Sequence, residues 1–180
     1  MIKKVLNIFI SFLFIFAILS CDNKKQNKQE KQTISQKEIE DYLEQKNRDF
    51  IRYEADKINE YVESHDLNVI QTGTGLRYQI HDNGDGVIIK EGDIVTLEYE
   101  TRLLNDELIY SSANDGVKIF MVGRGGVESG LEEAILKLSK NSIATLIIPA
   151  HMAHGLVGDG NKIPSRATLV YRLKVIDKQW

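Results

Sequence analysis

The apolar pattern of this chain changes period at His65, and that change limits the fold to one long helix followed by a sheet. Before it, Ile39, Tyr42, Leu43, Phe50, Ile51, Tyr53, Ala55, Ile58, Tyr61 and Val62 recur at helical spacing among charged residues. Ser35 and Glu38 are spaced as a capping box, and Ile34 and Ile39 as a hydrophobic staple, so the helix is expected to start there and to run to about Ser64. Lys46 and Lys57 break any strict heptad. The apolar stripe is therefore expected to face its own domain or a second copy in a modest dimer contact. After His65 short alternating runs are punctuated by Gly73, Gly75, Gly84, Gly86 and Gly92, which predicts strands over 76–81, 93–103, 107–111, 118–122, 142–149 and 166–177. One helix interrupts them. Ser129-Gly130-Leu131-Glu132 has the spacing of a second capping box, with Leu131, Ala134, Ile135 and Leu138 as an apolar face. Alternation at Ala167, Leu169, Tyr171, Leu173 and Val175 gives a strand one face to lay on that helix. The expected class is α+β, a curved antiparallel sheet wrapped around one short helix and preceded by a long amphipathic helix.

The amino end sets a different constraint. Lys3-Lys4 precede a mostly apolar run over 5–20, the layout of an export signal and too short to span a bilayer comfortably. It ends in Leu19-Ser20-Cys21, which looks like the lipobox of bacterial lipoproteins, in which the signal is removed before the cysteine and the sulfur carries a diacylglycerol. A plain cleaved signal or an uncleaved anchor is the alternative reading. Cys21 is the only cysteine, so a framework of disulfides is impossible. Residues 22–33 contain no apolar side chain and read as a solvated spacer. The expected organisation is a signal peptide over 1–20, a lipid-anchored polar linker over 21–33, an N-terminal helix over 34–66 and a domain over 67–180. A formal net charge of -3 gives no reason to expect a nucleic-acid partner.

Signatures of covalent or cofactor chemistry are nearly absent. There is no Gly-x-Ser-x-Gly elbow, and Gly123-Arg124-Gly125-Gly126 lacks the lysine and hydroxyl of a phosphate loop. Asp82-Asn83-Gly84-Asp85-Gly86 lacks the terminal glutamate of a calcium loop and reads as a glycine turn. His151 and His154 are three apart with no third ligand evident, so neither a metal nor a cofactor is expected.

What stands out is an ordered series of segments over about the last hundred residues: Thr74-Gly75-Leu76-Arg77-Tyr78, Gly84-Asp85-Gly86, Glu91-Gly92-Asp93-Ile94-Val95, Leu97-Glu98-Tyr99, Ile109-Tyr110-Ser111-Ser112, Phe120-Met121-Val122-Gly123, Gly130-Leu131-Glu132-Glu133-Ala134-Ile135, Leu146 through Gly155, and Ile163 through Tyr171. The series resembles the FKBP-type peptidyl-prolyl isomerases. The lipobox, the helical lead-in and Ile109-Tyr110-Ser111 in place of the usual Phe-Asp-Ser look like the gliding-motility-associated lipoproteins of that family. The resemblance implies an FKBP-like fold and a pocket in which Tyr99, Tyr110, Glu128, His154 and Tyr171 carry catalysis while Ile109, Phe120, Val127, Leu131 and Ile163 hold the substrate. Phe120 and Leu131 fit core and pocket equally well. Five positions depart from the family's usual residues: Ile109 for an aromatic, Tyr110 for aspartate, Leu131 for a tryptophan floor, Glu128 for isoleucine and His154 for tyrosine. At Glu128 the resemblance assigns the main-chain N–H to a substrate carbonyl.

Rotation of an X–Pro bond crosses a barrier of about 18–20 kcal/mol and takes about 10–100 s unaided. No covalent bond changes, so an apolar, dry pocket that favours the twisted amide is enough. The expectation is thus a peptidyl-prolyl cis-trans isomerase of the cell envelope, periplasm-facing, held to the membrane through lipid on Cys21 and acting on proline-containing exported polypeptides, with a possible homodimer through the 34–64 helix. The competing expectation is a catalytically weak chaperone, or a scaffold lipoprotein of a motility or secretion apparatus.

Overall fold

The computed structural model of the chain describes residues 35–179. The signal over 1–20, Cys21, the spacer over 22–33 and the staple residue Ile34 lie outside the described residues. The chain divides into two compact units, Met1–Asp41 and Tyr42–Trp180, and apart from the first turn of the long helix everything below belongs to the second.

Helix α1 (Gln36–Ser64) begins as its spacing predicts. Ser35 Oγ accepts the Glu38 N–H at 3.2 Å while Glu38 Oε2 accepts the Ser35 N–H at 2.8 Å. Its end is a Schellman-type turn with Asp66 in the left-handed region at φ 50°, where glycine is more usual. There the Leu67 N–H reaches Val62 O at 3.0 Å and the Asp66 N–H reaches Glu63 O at 3.2 Å.

The sheet has seven antiparallel strands: β1 (Ile70–Gln71), β2 (Arg77–Asp82), β3 (Ile94–Arg102), β4 (Leu108–Ser111), β5 (Lys118–Met121), β6 (Ile143–Ile148) and β7 (Leu169–Gln179). Their order is β1-β2-β6-β7-β3-β4, with β5 also paired to β3. Helix α2 (Ser112–Asp115) joins β4 to β5, helix α3 (Ser129–Ile135) precedes β6, and a 3-10 turn (Ala150–Met152) follows it. Side chains of β6 and β7 divide between the two faces of the sheet. Leu146, Ile148, Leu169, Tyr171, Leu173 and Val175 enter the main core with Leu131, Ala134, Ile135 and Leu138 of the α3 region. Ile147 and Val170 point the other way and form a second core with Ile58 and Tyr61 of α1. The apolar stripe of α1 thus docks on its own domain only toward its carboxyl end, and Tyr42, Leu43, Ile51 and Tyr53 remain more than half exposed.

Two expectations need correction. The last strand begins at Leu169 and not at residue 166, because Arg166 takes φ 58° and donates its N–H to Gly155 O at 2.8 Å, which closes a loop instead of a ladder. The second capping box does not form, since Glu128 is the N-cap of α3 and Glu132 turns its carboxylate to the Gly123 and Gly125 N–H groups at 2.8 and 3.2 Å. The 82–86 segment closes as turns, with Asp82 Oδ1 accepting from Gly84 N–H and Asp85 Oδ1 from Val87 N–H. Helix α2, strand β1 and the 3-10 turn, all four residues or fewer, were not predicted from the pattern.

Candidate active site

One edge of β3 is shared by two strands. β5 pairs with it over Ile94 to Leu97 and β4 over Glu100 to Arg102, which leaves residues 98 and 99 without a strand partner on that edge. Helix α2 bridges the gap, and Ser112 Oγ accepts the Tyr99 N–H at 3.2 Å in place of a strand carbonyl. A cavity of about 290 Å³ opens here, lined by Tyr99, Thr101, Tyr110, Asp115, Lys118, Glu128, His154, Asp159, Ile163 and Tyr171.

Each wall comes from a different element. Tyr99 and Tyr171 stand on β3 and β7 with ring centroids 6.1 Å apart and planes tilted by 35°. Lys118, the first residue of β5, places its ammonium 5.2 Å from the Tyr99 ring centroid. Glu128 enters from the N-cap of α3, and its Oε1 accepts from Tyr171 OH at 2.7 Å and meets His154 Nε2 at 3.1 Å. Its Oε2 is buried without a hydrogen-bond partner. His154, Asp159 and Ile163 arrive on the loop over 150–168 that joins β6 to β7. Gly158 lets that loop turn sharply, for at φ 71° it passes so close to Ile163 O that an added Cβ would lie 2.1 Å from it. Asp159 Oδ1 then accepts the Asn161 and Ile163 N–H groups at 2.9 and 2.8 Å, while Asp159 Oδ2 accepts from Tyr110 OH.

The titrations follow from these contacts. Burial pushes the Glu128 carboxyl up, but the Lys118 charge, the Tyr171 hydroxyl and the residue's own backbone amide outweigh it and hold it below the usual carboxylate range. Tyr171 is driven well above an ordinary phenol by burial and then by the Glu128 charge. Burial also raises Tyr99, with Asp115 and Glu128 adding to it. Asp159 is pushed down to about 2, because the Tyr110 hydrogen bond and the two backbone N–H groups overcome a desolvation that would raise it. Tyr110 is raised by the same hydrogen bond.

The structure brings six of the ten named residues onto this cavity: Tyr99, Tyr110, Glu128, His154, Ile163 and Tyr171. Ile109, Phe120 and Leu131 lie in the main core, 6, 7 and 0 % exposed, and Val127 lines a separate recess with Glu91, Gly123 and Leu136. The lining mixes the rings of Tyr99, Tyr110 and Tyr171 and the side chain of Ile163 with four charged residues, Asp115, Lys118, Glu128 and Asp159. Thr101, Asp115, Lys118 and Asp159 were missed. Asp159 had a readable signal, the Gly158-Asp159-Gly160 turn, but its partner Tyr110 lies 49 positions away. His151 and His154 diverge, toward Thr74 O at 3.0 Å and toward Glu128.

The family model described as FKBP-type peptidyl-prolyl cis-trans isomerase matches residues 86–176. A Neisseria meningitidis protein named "Probable FKBP-type peptidyl-prolyl cis-trans isomerase FkpA" is 38% identical over 106 residues, 58% of this chain but only 38% of that protein. FK506-binding protein 2 of Debaryomyces hansenii is 32% identical over 57% of this chain and 76% of its own. Among solved structures, FkpA from Escherichia coli superposes with a TM-score of 0.59 at 25% identity, covering 82% of this chain and 74% of that one. AtFKBP13 gives 0.58 at 27% identity over 62% and 99%.

Proposed function

Because this chain belongs to the FKBP-type peptidyl-prolyl cis-trans isomerase family, we propose that its cavity seats a prolyl residue of a peptide and speeds rotation about the bond before it. The observation that carries this reading is the tilted Tyr99–Tyr171 pair at the unpartnered stretch of β3. Two aromatic faces and Ile163 suit a pyrrolidine ring, and Ile109, Phe120 and Leu131 stiffen the wall from behind. The His154 ring and the Glu128 main-chain N–H are the donors facing the flanking carbonyls, whereas the Tyr110 hydroxyl is already given to Asp159 and fixes the wall, and shape with fixed hydrogen bonds is sufficient for a reaction that breaks no bond.

The clients are exported polypeptides, and the site of action is the cell envelope, where lipid on Cys21 holds the domain to a membrane. A proline-peptide assay on the chain from residue 22 onward tests the catalytic part. Acceleration abolished by Tyr99→Ala supports it, and rates no faster than the uncatalysed reaction sink it.

One observation favours a second reading. Glu128, Asp115, Lys118 and Asp159 make the cavity polar, which supports weak turnover and a role as a chaperone or as a scaffold of a motility or secretion apparatus. Suppression of client aggregation that survives Tyr99→Ala would favour it over catalysis. The exposed Tyr42, Leu43, Ile51 and Tyr53 of α1 fit a homodimer through that helix, for which sedimentation should show a concentration-dependent shift.

A further inference from the structure

Helix α1 meets the loop that carries three of the cavity's residues at a buried carboxylate. Glu54 is only 7 % exposed. Its Oε1 accepts the Ala150 N–H at 2.7 Å and the Thr168 hydroxyl at 2.6 Å. These two partners are the ends of one loop. The last rung between β6 and β7 is Ile148 against Leu169, so Ala150 and Thr168 lie just beyond the sheet, where no backbone ladder closes the loop stem. The Glu54 oxygen supplies the missing closure, and without it two donors would be left without this acceptor in a buried site. A second contact between the same elements lies beside it, where the Arg166 guanidinium sits 4.8 Å from the Phe50 ring centroid. From the clamped stem the loop is held by its own bonds, Gly155 N–H to Ala150 O and Arg166 N–H to Gly155 O, both at 2.8 Å. It then delivers His154, Asp159 and Ile163 to the cavity.

We propose that Glu54 is a positioning residue for the isomerase site, and that α1 is thereby part of the machinery of that site and not only its spacer. The effect on turnover rests on the isomerase reading above; the clamp itself does not. The test uses the full chain in detergent, with hydrogen exchange and peptide isomerisation measured on the same samples. Glu54→Ala should speed exchange through 150–168 at least about tenfold while the amides of Leu146 and Tyr171 keep wild-type protection, and should lower kcat/KM about tenfold. Glu54→Gln retains the acceptor oxygen and should stay within about twofold of wild type in both measurements. Thr168→Val removes one arm only and should give a smaller rise in exchange over the same segment.

Exchange that rises uniformly across the sheet, Gln as damaging as Ala, or an Ala variant that matches wild type would each overturn the clamp. A wild-type chain without isomerase activity would instead defeat the functional reading, and the exchange arm would still decide whether Glu54 holds the loop.

Discussion

Glu128 and Tyr171 form one unit inside the cavity, and their energetics follow from that. Tyr171→Phe deletes a donor to a buried carboxylate that already has one oxygen unpartnered, so it should cost about 1–3 kcal/mol in chemical unfolding. The double variant Glu128→Ile with Tyr171→Phe replaces the pair by apolar groups. It should be neutral or more stable than wild type by about 1–4 kcal/mol, and a loss larger than that of Tyr171→Phe alone would contradict the reading. Asp159 sets an acid limb. Its folded pKa of about 2 lies below the ordinary value of 3.8, so its contribution to stability is present above about pH 4 and fades as the pH falls toward 2. Asp159→Asn removes that dependence. Unfolding midpoints measured down the acid range should fall less steeply for the variant than for wild type. Glu128 is held below the carboxylate range by its charged and hydroxyl partners, and its contribution is lost in the same direction. Tyr99 and Tyr171 were legible because each sits at an alternating strand position within a family-like segment. The Glu128–His154 and Tyr110–Asp159 contacts were not, because each joins side chains 26 and 49 positions apart that only the folded loop brings together.

Among the elements, α3 is where local and tertiary demands conflict. Gly130 lies inside this helix, where alanine would gain up to about 1 kcal/mol in propensity. A Cβ there would meet Ile148 Cγ2 at 2.3 Å, so the glycine is what lets the helix approach β6. Gly130→Ala is therefore expected to destabilise by a net 1–3 kcal/mol or so, read from denaturant midpoints, and a gain in stability would show that the helix has room to shift. Period and capping made α1 legible almost to the residue, from the Ser35–Glu38 box to Ser64. The start of β7 was not legible, because Ala167 continues the alternation of the strand while Arg166 turns the backbone away from it. Glu54 was hidden for a related reason. It stands between apolar positions of the stripe and reads as a solvated charge, yet the donors to its carboxylate, the Ala150 N–H and the Thr168 hydroxyl, are supplied from about a hundred residues further on.

At the scale of the molecule, the sheet is sandwiched between α3 on its main-core face and the carboxyl-terminal part of α1 on the other. The antiparallel sheet and the central helix were readable from alternation and from the ordered family-like segments, which agree with the family match over residues 86–176. The polarity of the cavity was not readable, since it depends on which side chains the loop over 150–168 and strand β5 turn inward. We propose that a membrane tether at Cys21 would raise the local concentration of exported clients at the cavity. The most direct test of the central claim is exchange spectroscopy by NMR on a Leu-Pro peptide mixed with the chain from residue 22 onward, with the protein's amide shifts followed in the same titration. Cis–trans exchange well faster than the unaided 10–100 s or so is expected, together with shifts centred on Tyr99, Glu128, His154, Ile163 and Tyr171. Peptide exchange at the uncatalysed rate, or shifts that cluster away from those residues, would contradict it.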